Sequence, residues 1–262
     1  VAEWIGAQDW SNGKLGLMGN SYRANASLMA ITNPHPSVKA IFPSMMDFDN
    51  YLTARPGGVL LTGALASWNQ VTGILDGRLE RPEGLPIPTI PPVDGDGDKT
   101  LFAQAVAQHT ENVDVLETSM AALYRDDHCY TAEPQEKQNV LAALIPLMNK
   151  KRVPVYLWSG WQDLWPKQPF LWAANLEAPT KIAIGPWSHD PDERTAERVQ
   201  QPNERERVRL QTIEIVRWFD YWLKDINNGI MDEPAHAVAV MNNDSQWGWI
   251  YTNEWPIRDN SQ

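Results

Sequence analysis

The sequence predicts an α/β fold in which helices cover both faces of a mostly parallel sheet. Short apolar runs of strand length recur along the chain, and segments with helical periodicity separate them. Parallel strands that are buried on both faces have this continuous apolar character, and the helices between them make the crossovers. A chain of 262 residues with 43% hydrophobic content can bury one substantial core. We therefore expect one large α/β domain that carries an insertion.

The first elements follow the order strand, sharp turn, helix. Residues 1–8 have a helical pattern, and residues 14–20 (KLGLMGN) form a short apolar run that predicts a buried strand. A helical run follows over about residues 22–31. The next strand is predicted over residues 38–45 (VKAIFPSM), which suit a central parallel strand although Pro43 lies near the end.

A different pattern begins after the second strand. Residues 101–109 and 113–124 have helical periodicity, residues 81–92 are rich in proline, and no strand alternation stands out. A long segment of this kind between two strands of one sheet indicates an inserted unit. We expect a mainly helical cap over residues 49–150.

Strand patterns return after the cap in a β-α-β rhythm. Residues 153–159 (VPVYLWS) and 181–185 (KIAIG) predict strands, and a helical pattern over about residues 167–176 lies between them. This order favours a parallel sheet with right-handed crossovers. A long helix is predicted over Glu204–Lys224, because its apolar residues lie roughly on one face.

These patterns define the expected domain organisation. Residues 1–48 and 151–230 form the two parts of the α/β core, and residues 49–150 form the cap between them. Residues 231–262 alternate in polarity (AHAVAVMN) and end in a tryptophan-rich stretch. We interpret them as the start of a separate, incomplete C-terminal β domain of the jelly-roll type.

Composition limits the classes of partner. The formal net charge is −11, from 33 acidic and 22 basic side chains, and would repel a phosphate backbone. No stretch approaches the roughly 18 apolar residues of a membrane span, and the N-terminus lacks signal-peptide features. The lone cysteine, Cys129, excludes an intrachain disulfide. We expect neither nucleic acid nor membrane as a partner, while the compartment and the oligomeric state stay open.

Ser21 lies at the predicted turn from strand to helix, within Gly19-Asn20-Ser21-Tyr22. Such an elbow exposes a serine hydroxyl, and the backbone N–H of the next residue, here Tyr22, then supplies one donor for an oxyanion. A serine at the start of a helix also serves often as a simple helix cap. The short motif alone therefore leaves two interpretations of Ser21 open.

Two later residues favour the catalytic interpretation. Asp163 follows the strand VPVYLWS in the loop SGWQD, and His189 follows the strand KIAIG in the loop PWSH. The α/β-hydrolase architecture requires this chain order of serine, acid and histidine, with the acid and the histidine each in a loop after a later strand. We expect Ser21 to be the nucleophile, His189 the general base and Asp163 the acid that orients it.

Four other histidines could compete for the role of base: His35, His109, His128 and His236. None of them lies in a loop directly after a predicted central strand. We therefore expect structural roles for all four.

Two acidic runs resemble metal-binding sequences only superficially. The run Asp94-Gly-Asp-Gly-Asp98 continues with Lys99 at the sixth position and Ala105 at the twelfth, where a calcium loop requires glycine and glutamate. The run from Asp126 to Cys129 has the residue types of zinc ligands without their spacing. We expect no metal site.

Four ordered segments resemble the family of X-Pro dipeptidyl-peptidases, bacterial cocaine esterase and α-amino-acid ester hydrolases. They are WIGAQDWSNGKLGLMGNSYRA, SGWQDLW, IGPWSH and WFDYWLKDINNGIMDEP. The family pattern G-x-S-Y-x-G maps onto Gly19, Ser21 and Tyr22, with Ala24 in place of the last glycine. The resemblance implies the same triad, Ser21, Asp163 and His189.

The resemblance also implies features beyond this sequence. Family members have further strands ahead of the first residue, a complete C-terminal jelly roll, and a tyrosine hydroxyl from the preceding segment as the second oxyanion donor. The resemblance therefore implies that the chain is part of a longer protein.

The expected activity is hydrolysis of an ester or amide in a small molecule or peptide through an acyl-enzyme, with no metal or organic cofactor. We favour an esterase or acylase. Two alternatives stay open: an X-Pro dipeptidyl-peptidase, and a non-catalytic binding module with the same fold.

Overall fold

A computed structural model of the chain describes residues 1–84, 91–125, 127, 140–189, 204–241 and 247–256. The chain divides into two compact units. The first consists of Val1–Asp49 and Asn139–Gln262, and the second of Asn50–Gln138.

The strands are β1 (Leu15–Asn20), β2 (Val38–Ser44), β3 (Val155–Gln162), β4 (Thr180–Ser188), β5 (His236–Met241) and β6 (Trp247–Thr252). The helices are α1 (Ala2–Gly6), α2 (Tyr22–Ala30), α3 (Asn50–Ala54), α4 (Thr62–Leu75), α5 (Thr100–His109), α6 (Val115–Ala121), α7 (Val140–Ala143), α8 (Ile145–Lys151), α9 (Gln168–Asn175) and α10 (Glu204–Lys224). A short 3-10 turn, Pro56–Gly58, follows α3.

The first unit is built on one six-stranded sheet with the order β1-β2-β3-β4-β5-β6. Each neighbouring pair from β1 to β5 is parallel, and β6 is antiparallel to β5. The middle strands β2, β3 and β4 are buried along most of their length, as strands covered on both faces must be. The predicted mostly parallel sheet is confirmed.

Apolar side chains cover both faces of this sheet. Ile41 and Phe42 are neighbours on β2, yet they belong to different buried clusters, because successive side chains of a strand point to opposite faces. The Ile41 cluster includes Trp172 of α9 and Leu28 of α2. The Phe42 cluster includes Trp218 of α10, whose indole N–H donates to the carbonyl of Ile41 at 3.1 Å. Helices therefore pack on both faces, as predicted.

Strands β5 and β6 correct the interpretation of residues 231–262 as the start of a separate β domain. In the described part of that range, β5 pairs in parallel with β4, and Ile184 lies opposite Val238. Both Val238 and Ala239 are buried, because β5 lies beside the core strands. The hairpin of β5 and β6 extends the core sheet. Alternating polarity identified the strands but did not identify the sheet that they join.

The end of the predicted cap also differs from the observed unit boundary. Helix α7 and all but the last residue of α8 fall within residues 49–150, the predicted cap, but both helices belong to the first unit. Leu141 and Met148 are 5% and 1% exposed and lie in the buried cluster that contains Ile41. Their contribution to the core explains why the boundary precedes them.

In the second unit, every regular element within the described residues is helical. Asp114 begins α6, and its carboxylate accepts a hydrogen bond from the backbone N–H of Glu117 at 2.8 Å, which is the usual role of an N-terminal cap. The buried Arg55 donates to the carbonyls of Ser119 and Ala122 at 2.9 and 2.8 Å. These contacts hold the unit together internally.

Candidate active site

Ser21 occupies the turn between β1 and α2 in a strained backbone conformation. Its φ and ψ angles are 58° and −131°, and a positive φ is uncommon for a residue with a side chain. Its backbone N–H donates to the carbonyl of Ser44 at the end of β2, at 3.0 Å. Its side chain makes no capping hydrogen bond to α2, so the simple cap interpretation lacks its defining contact. Strain of this kind concentrates at functional sites.

Gly19 allows the close approach that the turn requires. A Cβ atom at this position would lie 2.5 Å from the carbonyl carbon and oxygen of Arg23 and 2.8 Å from the nitrogen of Ala24. These are backbone atoms of α2, so a side chain could not be accommodated by a change of rotamer. Gly19 therefore sets the distance between the strand and the helix that flank Ser21.

Asp163 follows β3 directly, and its side chain is fully buried. The oxygen Oδ1 accepts a hydrogen bond from the backbone N–H of Leu164 at 2.8 Å, and Oδ2 accepts one from the hydroxyl of Ser159 at 3.1 Å. Its own backbone N–H donates to the carbonyl of Gly160 at 3.1 Å. Side chain and backbone are therefore both fixed by short local contacts.

His189 follows β4 directly and connects the other two residues. Its Nδ1 lies 2.6 Å from Oδ1 of Asp163, and its Nε2 lies 3.0 Å from Oγ of Ser21. Parallel pairing of β3 with β4, in which Gln162 lies opposite Ser188, brings the two loops to the same edge of the sheet. The structure thus brings together the three side chains that the sequence singled out.

These distances determine which ring nitrogen of His189 carries the proton. An ionised carboxylate can only accept, so the proton shared with Asp163 lies on Nδ1. In a neutral ring Nε2 then carries a lone pair, which can accept the hydroxyl proton of Ser21. The arrangement can draw a proton from the serine and stabilise the resulting imidazolium through the buried carboxylate.

Trp165 is a neighbour of this site that the sequence pattern did not assign to it. Its ring lies 5.1 Å from the ring of His189, centre to centre, at an interplanar angle of 80°. Edge-to-face contact of this kind is a favourable arrangement of aromatic rings. Ser159 was also missed. The signal for both was their position in the sequence, since Ser159 lies in β3 four residues before Asp163 and Trp165 lies two residues after it.

The competing histidines lie elsewhere. Nδ1 of His35 contacts the hydroxyl of Ser37 at 3.1 Å, His109 lies 3.4 Å from Asp76 in the second unit, and Nδ1 of His236 lies 3.2 Å from the carbonyl of Thr252. His128 lies outside the described residues. Three of the four therefore have other partners than Ser21.

The acidic run at residues 94–98 has a structural use. Asp96 is buried, and its two carboxylate oxygens accept hydrogen bonds from the backbone N–H groups of Leu101 and Phe102 at 3.0 and 2.8 Å. It therefore caps the first turn of α5. In the part of the chain that the structure describes, no three metal-binding side chains converge. Asp126, His128 and Cys129 fall outside that part.

Among the described residues, no helix is long and apolar enough to cross a membrane.

The fold and the elbow define an α/β-hydrolase core with a serine, a histidine and a buried aspartate in hydrogen-bond contact. A family model agrees with this class: X-Pro dipeptidyl-peptidase (S15 family) matches residues 1–191. The chain belongs to this family.

Relatives in sequence and structure are similar over almost the whole chain. A Mycobacterium bovis protein named as a serine esterase is 27% identical over 288 residues, covering 98% of this chain and 44% of the relative. The cocaine esterase of a Rhodococcus strain is 24% identical over 287 residues, covering 98% and 45%. The chain therefore spans less than half the length of these relatives.

Solved structures show the same fold. A CocE/NonD family hydrolase from Staphylococcus aureus matches with a TM-score of 0.64 at 17% identity, covering 97% of this chain and 37% of that one. An α-amino acid ester hydrolase matches with a TM-score of 0.56 at 20% identity, covering 97% and 41%.

Proposed function

We propose that this chain is the catalytic core of a serine hydrolase that cleaves an ester or amide bond through an acyl-enzyme. One observation carries the proposal: a continuous hydrogen-bond path from the hydroxyl of Ser21 through His189 to the buried Asp163. Family membership agrees with it. In this proposal Ser21 is the nucleophile, His189 the general base and Asp163 the orienting acid.

The first half-reaction transfers the acyl group to the enzyme. Oγ of Ser21 bonds to the substrate carbonyl carbon while its proton moves to Nε2 of His189, and the carbonyl oxygen becomes an oxyanion. Collapse of this intermediate breaks the bond to the leaving alcohol or amine, which takes the proton from His189. Asp163 stabilises the imidazolium in between.

The second half-reaction returns the enzyme to its starting state. A water molecule gives a proton to Nε2 of His189 and attacks the acyl carbon, and the second tetrahedral intermediate collapses. The proton returns to Oγ of Ser21, and the carboxylic acid leaves. No metal or organic cofactor takes part in this scheme.

The backbone N–H of Tyr22 is our candidate for one oxyanion donor. It is the first residue of α2 and follows the strained Ser21, which is the position that supplies this donor in the hydrolase elbow. Each such donor contributes about 100-fold to 1000-fold in turnover.

For the substrate we propose a small-molecule ester or amide, in agreement with relatives named as a serine esterase and a cocaine esterase. The family description names an X-Pro dipeptidyl-peptidase, which would use the same triad with a pocket for a peptide N-terminus. Comparing p-nitrophenyl acetate with an X-Pro p-nitroanilide would separate these two activities.

Labelling with a fluorophosphonate tests the proposal. The reagent forms a bond from Oγ of Ser21 to phosphorus and releases fluoride, so the full-length protein should gain one adduct on the peptide that contains Ser21. The Ser21→Ala variant should gain none. If the folded wild-type protein takes up no label at Ser21, the enzyme proposal fails and the alternative of a non-catalytic binding module gains support.

A further inference from the structure

Ser159 lies in the interior of the first unit, within hydrogen-bond distance of Asp163 of the proposed triad. It belongs to β3 and is 0% exposed. A Cβ atom on its neighbour Gly160 would lie 2.1 Å from the carbonyl oxygen of Trp187 on β4. The backbone next to Ser159 therefore packs closely against the adjacent strand.

The chemistry of its neighbours determines where the hydroxyl proton goes. The Ser159 hydroxyl lies 3.1 Å from Oδ2 of Asp163 and 3.7 Å from the sulfur of Met45. A hydroxyl has one proton to donate, and a thioether is a weak acceptor. An ionised carboxylate cannot donate in return and is the stronger acceptor. Ser159 therefore donates to Asp163.

This hydrogen bond completes a set of contacts on both oxygens of the carboxylate. Oδ1 of Asp163 accepts from Nδ1 of His189 at 2.6 Å and from the N–H of Leu164 at 2.8 Å. Ser159 holds Oδ2, the oxygen on the other side. Without it, the buried carboxylate would keep its contacts on one side only and could turn about its Cβ–Cγ bond.

We propose that Ser159 is a positioning residue, which fixes the plane of the Asp163 carboxylate and through it the orientation of the His189 ring. The inference rests on the proposed serine-hydrolase function. It adds to that function a residue that does not touch the substrate or the reacting atoms.

The test compares Ser159→Ala with wild type in the full-length protein, with p-nitrophenyl acetate as the probe. We expect kcat to fall about tenfold, which corresponds to the loss of one hydrogen bond to a charged group, and KM to stay within about twofold. The downfield proton NMR signal of the His189 Nδ1–H should shift or broaden, because the carboxylate that accepts it is no longer held.

Two further variants make the comparison decisive. Ser159→Cys keeps a weaker donor of similar shape, so its kcat should lie between those of wild type and Ser159→Ala. Ser27→Ala removes another buried hydroxyl, which donates to the carbonyl of Ala24 at 2.7 Å, and should leave both kcat and the NMR signal unchanged. If Ser159→Ala does not fold, the Ser159→Cys measurement takes its place.

The two proposals fail in different ways. The positioning role alone is overturned if folded Ser159→Ala has the wild-type kcat and an unmoved Nδ1–H signal. If the alanine variant does not fold, the same result for Ser159→Cys overturns it. Absence of fluorophosphonate labelling in wild type would overturn the hydrolase function on which it rests.

Discussion

Nε2 of His189 lies 3.0 Å from Oγ of Ser21, although 168 positions of sequence separate the two residues. The contact depends on two strand ends. Ser21 follows β1, and His189 follows β4. Strands β2 and β3 lie between β1 and β4 in the sheet. Because parallel strands end at one edge of a sheet, their terminal loops meet there. Changes to the triad, or to the turns that hold it, should therefore alter activity in measurable ways.

Asp163→Asn should reduce kcat about 10³-fold to 10⁴-fold while the protein stays folded, in line with other triads. The amide is uncharged and no longer stabilises the imidazolium of His189. Turnover of p-nitrophenyl acetate, with circular dichroism as the check of folding, measures the effect. Asp225→Asn is the matched control, since Asp225 pairs with Lys14 at an exposed position. Equal activity of the two variants would contradict the role of Asp163.

Gly19→Ala should destabilise the protein by about 1 to 3 kcal/mol and slow labelling of Ser21, because the new methyl group meets backbone atoms of α2. Urea unfolding and the rate of fluorophosphonate labelling measure the two effects. Gly63→Ala provides the control: a methyl group added to Gly63 in helix α4 would have nothing within 4 Å, and alanine there should be neutral or stabilise by up to about 1 kcal/mol. A neutral Gly19→Ala would show that the elbow tolerates a side chain.

The three triad residues were predictable from the sequence, while the full length of the strand before His189 was not. Ser21, Asp163 and His189 were identifiable because each follows an apolar run of strand length, and chain order assigned their roles. The strand before His189 was predicted over residues 181–185 but extends over Thr180–Ser188, because Pro186 and Trp187 remain buried within the sheet. Local pattern did not reveal this, since burial depends on neighbouring elements.

The largest difference between the predicted and the observed fold is the place of the hairpin of β5 and β6. Its alternating residues predicted strands correctly, but the choice of partner strand depends on long-range packing beside β4. The hydrogen bond from Ser159 to Asp163 could not be predicted either, because the apolar pattern of a strand does not show which side chain lies within 3.1 Å of the carboxylate.

Lys181→Met should destabilise the first unit by about 2 to 4 kcal/mol, because three backbone carbonyls would lose a buried charged donor. The Lys181 ammonium lies 2.9, 3.4 and 3.0 Å from the carbonyls of Ile230, Glu233 and Pro234. Urea unfolding measures the loss. Lys224→Met is the exposed counterpart, paired with Asp220 on α10, and should change stability by less than about 1 kcal/mol. Similar values for both lysines would contradict the anchoring role.

His236 should make stability depend on pH in the mildly acidic range. Burial lowers the pKa of His236 below its ordinary value of 6.5, the hydrogen bond to Thr252 opposes this, and the charge of Lys181 adds to it. Between the lowered pKa of His236 in the folded protein and its ordinary pKa in the unfolded chain, the unfolded chain binds more protons. The stability of the fold therefore falls as pH drops below about 6.5. His236→Gln removes this titration.

The free energy of unfolding of wild type and His236→Gln, measured from pH 7.5 to pH 5, tests whether His236 lowers stability as the pH falls. Wild type should lose stability more steeply than the variant on acidification. Parallel curves would show that His236 titrates alike in the folded and unfolded chains.

The most direct test of the catalytic role of Ser21 and His189 is the turnover of Ser21→Ala and His189→Ala beside wild type, in the full-length protein with p-nitrophenyl acetate. We predict that each variant remains folded and loses at least about 10⁴-fold in kcat, as expected for members of one catalytic unit. A folded variant of either kind that retains a tenth or more of the wild-type kcat would contradict this role.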